Sequence, residues 1–274
     1  MSASEFHLVV DLPEVRAIDV LAEHSGLPKQ RLKDAMNKGA VWLKQQGKRA
    51  EQRLRRATKT VRKGDALSLY YDSELLALSV PEPQLIADEK FYSVWHKPAG
   101  MLAQGTRFGD HCALLRWCEQ QFPGRPSFLI HRLDREAEGL MLIAHQQKAA
   151  QLLSDLWQQQ RISKHYEVLA EGNVGEPGHT LHIDAPLDGK DSATAIKVRA
   201  VDPKTQRSVL DITLITGRKH QIRRHLAGID HPVVGDYRYG ARRRGENLAL
   251  RAVALRFQCP LSRRERDYRI ESIF

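Results

Sequence analysis

A carboxylate between two arginines is the first group in this 274-residue sequence that could do chemistry. Asp134 lies between Arg132 and Arg135, just after the apolar run Phe128-Leu129-Ile130 and shortly before Gly139. A loop between two buried strands would hold such a side chain rigidly, and the neighbouring cations favour its ionised, nucleophilic form. A structural salt bridge explains the same residues, so this segment alone leaves a catalytic and a structural interpretation open.

A second polar segment follows a predicted strand that ends near residue 216. Gly217 marks a turn, and we expect Arg218, Lys219 and His220 on the first turn of a short helix. Helix N-termini favour anions, and basic side chains strengthen that preference, so the pattern predicts a phosphate site. Solvated cations and an ordinary core or surface histidine are the alternative interpretation.

Metal and cofactor motifs are not evident in the sequence. Two groups of histidines and cysteines lack the spacing of a recognised zinc site: His111, Cys112 and Cys118, and His220, His225 and His231. A pair of histidines five residues apart, such as His220 and His225, remains as a weak candidate. The sequence also has no P-loop and no GxGxxG motif. We therefore expect neither a metal nor a cofactor.

The elements that must position these residues have an α+β pattern. A helical stripe of apolar residues lies between Gln146 and Arg161, among segments with the composition or alternation of strands. Those segments are Phe91–His96, Phe128–Leu133, Leu140–Ala144, Tyr166–Ala170, Thr194–Ala200, Val209–Thr216 and Leu248–Phe257. Residues 88–274 are therefore predicted to form an α+β domain with a mixed, largely antiparallel central sheet flanked by helices.

The net charge of +10 is concentrated in one short stretch. Residues 29–63 contain 13 basic and two acidic residues, whereas the rest of the chain is close to neutral. Smaller groups of cations occur at residues 218–224 and 238–244. A local basic patch of this kind predicts a polyanionic partner such as nucleic acid, although a solvated basic face is the simpler alternative.

The basic stretch belongs to a predicted small α/β module at residues 1–78, joined to the large domain by a linker at 79–87. Two short helices, around residues 16–25 and 28–38, precede strands at 41–43 and 66–71. This order resembles the small RNA-binding module shared with a small-subunit ribosomal protein. The resemblance implies RNA contacts by basic side chains of the module: Lys29, Arg31, Lys33, Lys38, Arg53, Arg55 and Arg56.

Four motifs of the large domain together resemble the RluA-type pseudouridine synthases. In chain order they are His96-Lys97-Pro98-Ala99-Gly100-Met101, His131-Arg132-Leu133-Asp134, Lys164-His165-Tyr166-Glu167-Val168-Leu169-Ala170-Glu171-Gly172 and Gly217-Arg218-Lys219-His220-Gln221-Ile222-Arg223. The resemblance extends from about His96 to Pro260. It implies isomerisation of a uridine within RNA, with no metal, cofactor or group donor.

The resemblance also implies a role for individual residues. Asp134 would be the nucleophile, Arg218 would pair with it, and Tyr166 would stack on the target base. The remaining assignments are to substrate binding: Arg132 filling the space that a flipped base leaves, Ile222 packing on the base, and His220 and Arg223 contacting RNA. An extruded base needs an aromatic platform, which supports the type of residue at 166.

The sequence departs from the family's pattern at two places. Ala137 and Glu138 stand where the family usually has Thr-Ser, and Arg251 stands where it commonly has His. Glu138 adds a negative charge close to Asp134, which should raise the pKa of Asp134 unless a cation compensates. These departures put the efficiency of catalysis in question more than its existence.

The expected partner is structured RNA, with ribosomal RNA favoured over transfer RNA. The alternative function is a catalytically silent RNA-binding or ribosome-assembly protein that kept the fold. No apolar run is long enough to span a bilayer, the first residues do not resemble a signal peptide, and the three cysteines form no CxxC pair. We therefore expect a cytoplasmic protein away from membranes. We also expect a monomer, because a flexible two-domain clamp on RNA requires no partner chain.

Overall fold

The computed structural model describes residues 3–240 and 245–274. Residues 241–244, which belong to the predicted cation group at 238–244, lie outside the described residues. The chain divides into two compact units, and each is described by itself. Unit 1 consists of residues 1–80 and 104–120, and unit 2 consists of residues 81–103 and 121–274. No helix in the described ranges is both long and apolar enough to cross a membrane.

Unit 1 contains a four-stranded sheet, a two-stranded sheet and short helices. Its elements are β1 (Ser4–Val9), β2 (Val15–Arg16), α1 (Ala17–Ser25), α2 (Lys29–Asn37), β3 (Val41–Lys44), β4 (Gln52–Arg53), β5 (Thr60–Val61), β6 (Ala66–Tyr71), α3 (Ser73–Leu76) and α4 (Leu114–Gln121). The strand orders are β1-β6-β3-β4 and β2-β5. The two predicted helices before residue 40 are confirmed.

The helix boundaries in unit 1 follow from local chemistry. Gly26 ends α1 in the left-handed conformation, which a glycine adopts without a steric penalty, and its N–H bonds to the Ala22 carbonyl. Pro28 directly precedes α2. The inward face of α2, with Leu32, Ala35 and Met36, is fully buried, as the apolar spacing predicts.

Unit 2 is built on a ten-stranded sheet in its described residues. Its elements are β7 (Gln84–Asp88), β8 (Tyr92–Lys97), β9 (Phe128–Leu129), β10 (Glu138–Ala144), α5 (Gln147–Gln158), β11 (Ser163–Ala170), β12 (Thr180–Ile183), β13 (Thr194–Val201), β14 (Ser208–Leu214), α6 (Gln221–Gly228), β15 (Leu250–Gln258) and β16 (Glu265–Arg269). The main strand order is β12-β13-β14-β11-β15-β10-β8-β7, and β9 and β16 pair with β10 and β15.

The sheet is mixed and largely antiparallel, as predicted. The pair β10 and β15 runs parallel, whereas β8 and β10, β11 and β15, and β11 and β14 run antiparallel. Helix α5 covers part of one face, where Leu153 and Leu156 belong to the same buried cluster as Leu140 and Leu142 of β10. This core fixes the strands from which the site residues extend.

Several element boundaries differ from the sequence prediction, and three of the differences are substantial. The strand predicted at residues 128–133 ends at Leu129, so residues 130–137 form a longer loop that carries Asp134. Gln84–Asp88 is a strand, although most of it was predicted as linker. Helix α6 begins at Gln221, so the predicted first-turn cations lie in the preceding loop. In each case long-range pairing or a local turn, neither visible in apolar spacing, sets the boundary.

Candidate active site

Asp134 is held by two cationic or polar side chains from the α6 region. Its Oδ2 accepts a hydrogen bond from Arg223 Nη1 at 2.9 Å, and its Oδ1 lies 3.4 Å from His220 Nε2. The Asp134 side chain is 22% exposed, so a ligand can reach the carboxylate. The loop therefore presents an ionisable oxygen to solvent while an arginine fixes its direction.

Arg223 is itself held in place by the buried carboxylate of Asp236. Its Nε and Nη2 donate to the two oxygens of Asp236 at 2.7 and 2.8 Å, a bidentate pair. The N–H groups of Arg238 and Tyr239 also donate to Asp236 Oδ1. Although burial opposes both charges, these hydrogen bonds lower the pKa of Asp236 and raise the pKa of Arg223. Arg223 thus stays charged and oriented toward Asp134.

Gly235 allows the turn that brings Asp236 into this position. Its φ is +74°, and a Cβ there would lie 2.1 Å from the carbonyl oxygen of Asn247. Both the conformation and the contact require glycine. No motif in the sequence predicts a role for Asp236 or Tyr239. The adjacent Gly235 and Asp236 indicate a turn, but Arg223, the partner of Asp236, lies 13 residues earlier in the chain.

His220 completes the surroundings of the Asp134 carboxylate. It precedes α6 in the left-handed conformation, with φ +54°, and its Nδ1 shares a hydrogen bond of 2.9 Å with the Tyr239 hydroxyl. Burial lowers the pKa of His220, and the charges of Arg223 and other nearby cations lower it further, despite the opposing effect of Asp134. The neutral imidazole is therefore favoured next to the cationic Arg223.

Tyr166 and Ile222 supply apolar surface beside Asp134. Tyr166 extends from β11 and is 8% exposed, and Ile222 is buried in the first turn of α6. Both line a small concavity together with Asp134. Burial and the charge of Asp134 raise the pKa of Tyr166, so its phenol keeps its proton. An aromatic ring and a branched aliphatic chain next to a carboxylate can bind a planar base.

Arg218 does not make the ion pair with Asp134 that the family resemblance implies. It is exposed in the loop before α6, and its Nε donates to the carbonyl of Asp191 at 2.9 Å. Arg223 pairs with Asp134 instead, because it lies inside the helix and is braced by Asp236. Arg218 still lines the cleft near Asp134, as does the exposed Arg132.

These residues surround one cleft of about 410 Å³ in unit 2. Its described lining residues are His131, Arg132, Asp134, Trp157, Lys164, Tyr166, Leu214, Gly217, Arg218, Lys219 and His220. Asp134 is the single acidic residue among them. The cleft therefore combines one carboxylate, aromatic side chains and several cations.

Lys97 lies next to the loop that carries Asp134 and is fully buried. Its Nζ donates to the carbonyls of Pro98, Met101 and Ala137 at 3.0, 2.9 and 2.6 Å. Burial lowers the pKa of Lys97 to about 8. The ammonium ties the loop that follows Asp134 to the strand end at residue 97, a role for which the sequence offered only a general structural interpretation.

The two departures from the family pattern contact each other. Glu138 and Arg251 are opposite residues on the parallel strands β10 and β15, and Arg251 Nε lies 3.1 Å from Glu138 Oε1. Arg251 Nη1 also donates to the Glu271 carbonyl. The negative charge that Glu138 brings near the site is therefore matched by a cation at the other unusual position.

Several predicted RNA-binding cations of unit 1 have partners inside that unit. Asp110 forms ion pairs with Arg53 at 3.1 Å and Arg55 at 2.5 Å. Lys29 pairs with Asp19, and Lys38 with Asp34. The remaining three, Arg31, Lys33 and Arg56, are exposed and make no ion pair with the described residues.

The model of the family described as RNA pseudouridylate synthase matches residues 91–228. An uncharacterized RNA pseudouridine synthase of Helicobacter pylori is 31% identical over 205 residues, which cover 69% of this chain and 70% of the relative. A second one, from Chloroflexus aurantiacus, is 36% identical over 168 residues, or 54% of this chain and only 52% of the relative. The chain belongs to the RNA pseudouridylate synthase family, whose members are isomerases that convert uridine in RNA to pseudouridine.

Solved structures agree on the fold. Human RNA Pseudouridylate Synthase Domain Containing 1 superposes with a TM-score of 0.60 at 23% identity, covering 71% of this chain and 85% of that chain. Human RNA Pseudouridylate Synthase Domain Containing 4 gives 0.55 at 20% identity, covering 68% and 87%. The predicted α+β architecture is thereby confirmed.

Proposed function

We propose that this chain converts a specific uridine of structured RNA to pseudouridine, with Asp134 as the nucleophile. The observation that carries the proposal is the Asp134–Arg223–Asp236 chain of hydrogen bonds next to Tyr166. It supplies an oriented carboxylate, reachable from solvent, beside an aromatic surface. Family membership supports the same reaction.

The reaction balances without a cofactor. The Asp134 carboxylate attacks either the anomeric carbon of the ribose or the uracil ring, and the bond between uracil N1 and the ribose is broken. The base turns, its C5 bonds to the anomeric carbon, and the bond that Asp134 had formed breaks, which frees the carboxylate. The proton on C5 is lost to water while N1 gains one. Arg223 orients the carboxylate throughout.

Access to the uridine requires that its base leave the RNA stack, at a cost of a few kcal/mol. Stacking on Tyr166 and packing on Ile222 offset part of that cost. Arg132 is exposed at the cleft, and it is suited to enter the space that the base vacates. Exposed cations of unit 1 are proposed to bind the surrounding RNA.

Ribosomal RNA is the proposed substrate, on the basis of the basic unit 1 and its resemblance to a ribosomal-protein module. Relatives carry names of both kinds. Ribosomal large subunit pseudouridine synthase D of Zymomonas mobilis is 27% identical over 64% of this chain and 61% of that protein. tRNA pseudouridine synthase C of Vibrio vulnificus is 27% identical over 69% of this chain and 90% of that protein. We further propose a monomer that acts in the cytoplasm.

Tritium release tests the reaction and the nucleophile together. RNA from cells that lack the gene, labelled at C5 of uridine, is incubated with wild type, with Asp134→Asn and with the control Asp155→Asn, an exposed position on α5. We expect release by wild type and the control, and none above background by Asp134→Asn. Release by Asp134→Asn at the wild-type rate would contradict the assignment of Asp134.

Pseudouridine mapping identifies the substrate and tests the silent alternative. Loss of a defined ribosomal site in the deletion strain, restored by wild type and not by Asp134→Asn, is the expected result. A lost transfer-RNA site would reassign the substrate. Unchanged modification with altered ribosome profiles would favour the assembly function, to which the assembled Asp134, Arg223 and Tyr166 give no support.

A further inference from the structure

Lys164 is a buried cation in the cleft to which the mechanism above assigns no role. It extends from β11 two residues before Tyr166 and is only 3% exposed. Residues two apart on a strand point to the same face, and both side chains line the cleft that contains Asp134. His165, between them, is exposed on the opposite face.

An aromatic stack holds the Lys164 ammonium in place. The nitrogen lies 5.4 Å from the centroid of the Trp157 ring, a cation–π contact. Trp157, from α5, stacks on His131 with ring centroids 3.7 Å apart and an angle of 8° between the planes. His131 Nε2 in turn accepts a hydrogen bond from the Leu142 N–H. The position of the ammonium is therefore set by the core.

Nothing in the described residues neutralises this charge. The Lys164 ammonium makes no ion pair or hydrogen bond there, and burial alone lowers the pKa of Lys164. Burial and the charge of Lys164 also lower the pKa of His131 to about 3, so the stack beneath the ammonium stays neutral. Asp134, the one acid that lines the cleft, is already paired with Arg223. A buried charge without a counterion is costly unless a ligand provides one.

The chemistry of the substrate indicates which group that is. Uracil and ribose are neutral at pH 7, and the phosphodiester is the anionic group of RNA. We propose that Lys164 binds the phosphodiester next to the target nucleoside and so positions the ribose over Asp134. This inference rests on the proposed function in that it takes RNA as the ligand. Lys164 is a substrate-positioning residue, and the proton transfers of the reaction do not involve it.

The salt dependence of RNA binding tests the contact directly. The probe is a nine-nucleotide oligouridylate with a fluorescent end label. Its Kd is measured by fluorescence anisotropy between 50 and 300 mM salt, where the Debye length falls from about 14 to about 6 Å. Each phosphate contact contributes about 0.7 to the slope of log K against log salt for single strands. We expect Lys164→Met to lower the slope by about that amount and to weaken binding roughly tenfold at low salt.

Two further variants separate charge from structure. Lys164→Arg keeps the cation and should keep the slope, whereas Lys204→Met removes an exposed lysine outside the cleft and should change neither slope nor affinity. Thermal unfolding shows whether Lys164→Met is folded, and kcat at saturating RNA should stay within about threefold while KM rises. If Lys164→Met is unstable, the slope of Lys164→Gln replaces it in the comparison.

The outcomes distinguish this proposal from the proposed function. A wild-type slope in folded Lys164→Met overturns the phosphate contact, and the tritium assay with Asp134→Asn still decides the reaction. A fall in kcat with unchanged KM and slope also overturns it, because it would indicate a role in proton transfer. Oligouridylate binding by wild type without any salt dependence overturns the contact as well.

Discussion

At the scale of single residues, the orientation of the Asp134 carboxylate depends on a partner that is distant in sequence. Arg132 and Arg135 flank Asp134 in the chain, yet the hydrogen bond comes from Arg223, 89 residues away. Arg223 bridges two carboxylates and is only 6% exposed, so it holds the exposed carboxylate of Asp134 against the buried one of Asp236. Charge-assisted hydrogen bonds of this kind fix the direction of a carboxylate.

Replacing Arg223 should therefore be far more damaging than replacing Arg218. Arg223→Met leaves Asp236 buried without its ion-pair partner, which we expect to cost about 3–5 kcal/mol of stability and to abolish turnover. Arg218→Met removes an exposed side chain, and its effect on stability should stay within about 0.5 kcal/mol. Urea unfolding and tritium release of both variants check this, and equal losses in the two would contradict it.

The buried ammonium of Lys97 should make the stability of the protein depend on pH. Its folded-state pKa of about 8 lies below its ordinary value of 10.5, so the unfolded chain binds more protons between those two pH values. The penalty for burying the ammonium is thus fully present below pH 8 and is relieved as the pH rises to 10.5. Relative to Lys97→Met, wild type should gain up to about 3 kcal/mol over that window.

The measurement is urea unfolding of both proteins at several pH values from 7 to 10.5. The difference between them isolates Lys97 from the other groups that titrate in alkali. A difference that stays flat, or that falls as the pH rises, would show that the ammonium is not buried as described.

At the scale of elements, the position of the loop that carries Asp134 depends on the junction of β10 and β15. Gly139 has a φ of +126°, and a Cβ there would lie 2.4 Å from backbone atoms of Ala252. The two parallel strands approach so closely at this point that Glu138 and Arg251 are brought opposite each other. The ion pair between them joins the end of the Asp134 loop to the centre of the sheet.

A double-mutant cycle should detect this coupling. Glu138→Gln leaves the 9%-exposed Arg251 without its partner, and Arg251→Met leaves Glu138 uncompensated near Asp134. We expect each single variant to lose stability and turnover, and the double variant to lose less than their sum, with a coupling of about 1–3 kcal/mol. Unfolding free energies measure the cycle, and strict additivity would refute the coupling.

At the scale of the whole molecule, part of the excess positive charge is engaged in ion pairs within unit 1. Less of it is therefore free to bind RNA than the net charge indicates. Asp110 belongs to unit 1 although it follows residue 80, and it engages Arg53 and Arg55. Arg53 also donates to the Thr106 carbonyl, and its guanidinium lies 4.3 Å from the Trp42 ring centroid. Deletion of residues 1–80 would leave residues 104–120 without these partners, so it is a poor test of RNA binding.

Neutralising the exposed cations is the better experiment. The triple variant Arg31→Gln, Lys33→Gln, Arg56→Gln should remain folded and should lower the salt slope of RNA binding by up to about 2. Arg53→Gln, as the matched control, should reduce thermal stability through Asp110 and leave the slope nearly unchanged. A triple variant with the wild-type slope would show that unit 1 does not contact phosphates through these residues.

Much of this molecule was predictable because its signals are local. Apolar spacing located α1, α2 and α5 and most strands of unit 2, and four motifs together, one of them around Asp134, led to the family. Such patterns are short-range because the face of a helix or strand on which a side chain lies follows from the spacing of residues that are close in sequence. The same holds for Tyr166, whose position two residues after Lys164 places both on one face of β11.

The pairings of charges could not be predicted, because they depend on which distant segments meet. Asp134 pairs with Arg223 and not with the neighbouring or expected arginines, Arg53 is held by Asp110, and Glu138 meets Arg251 across a parallel strand pair. An ion pair requires two side chains within about 4 Å, a condition that composition and spacing do not encode. The residue types were thus evident from the chain, and their partners were decided by the packing of the sheet and its loops.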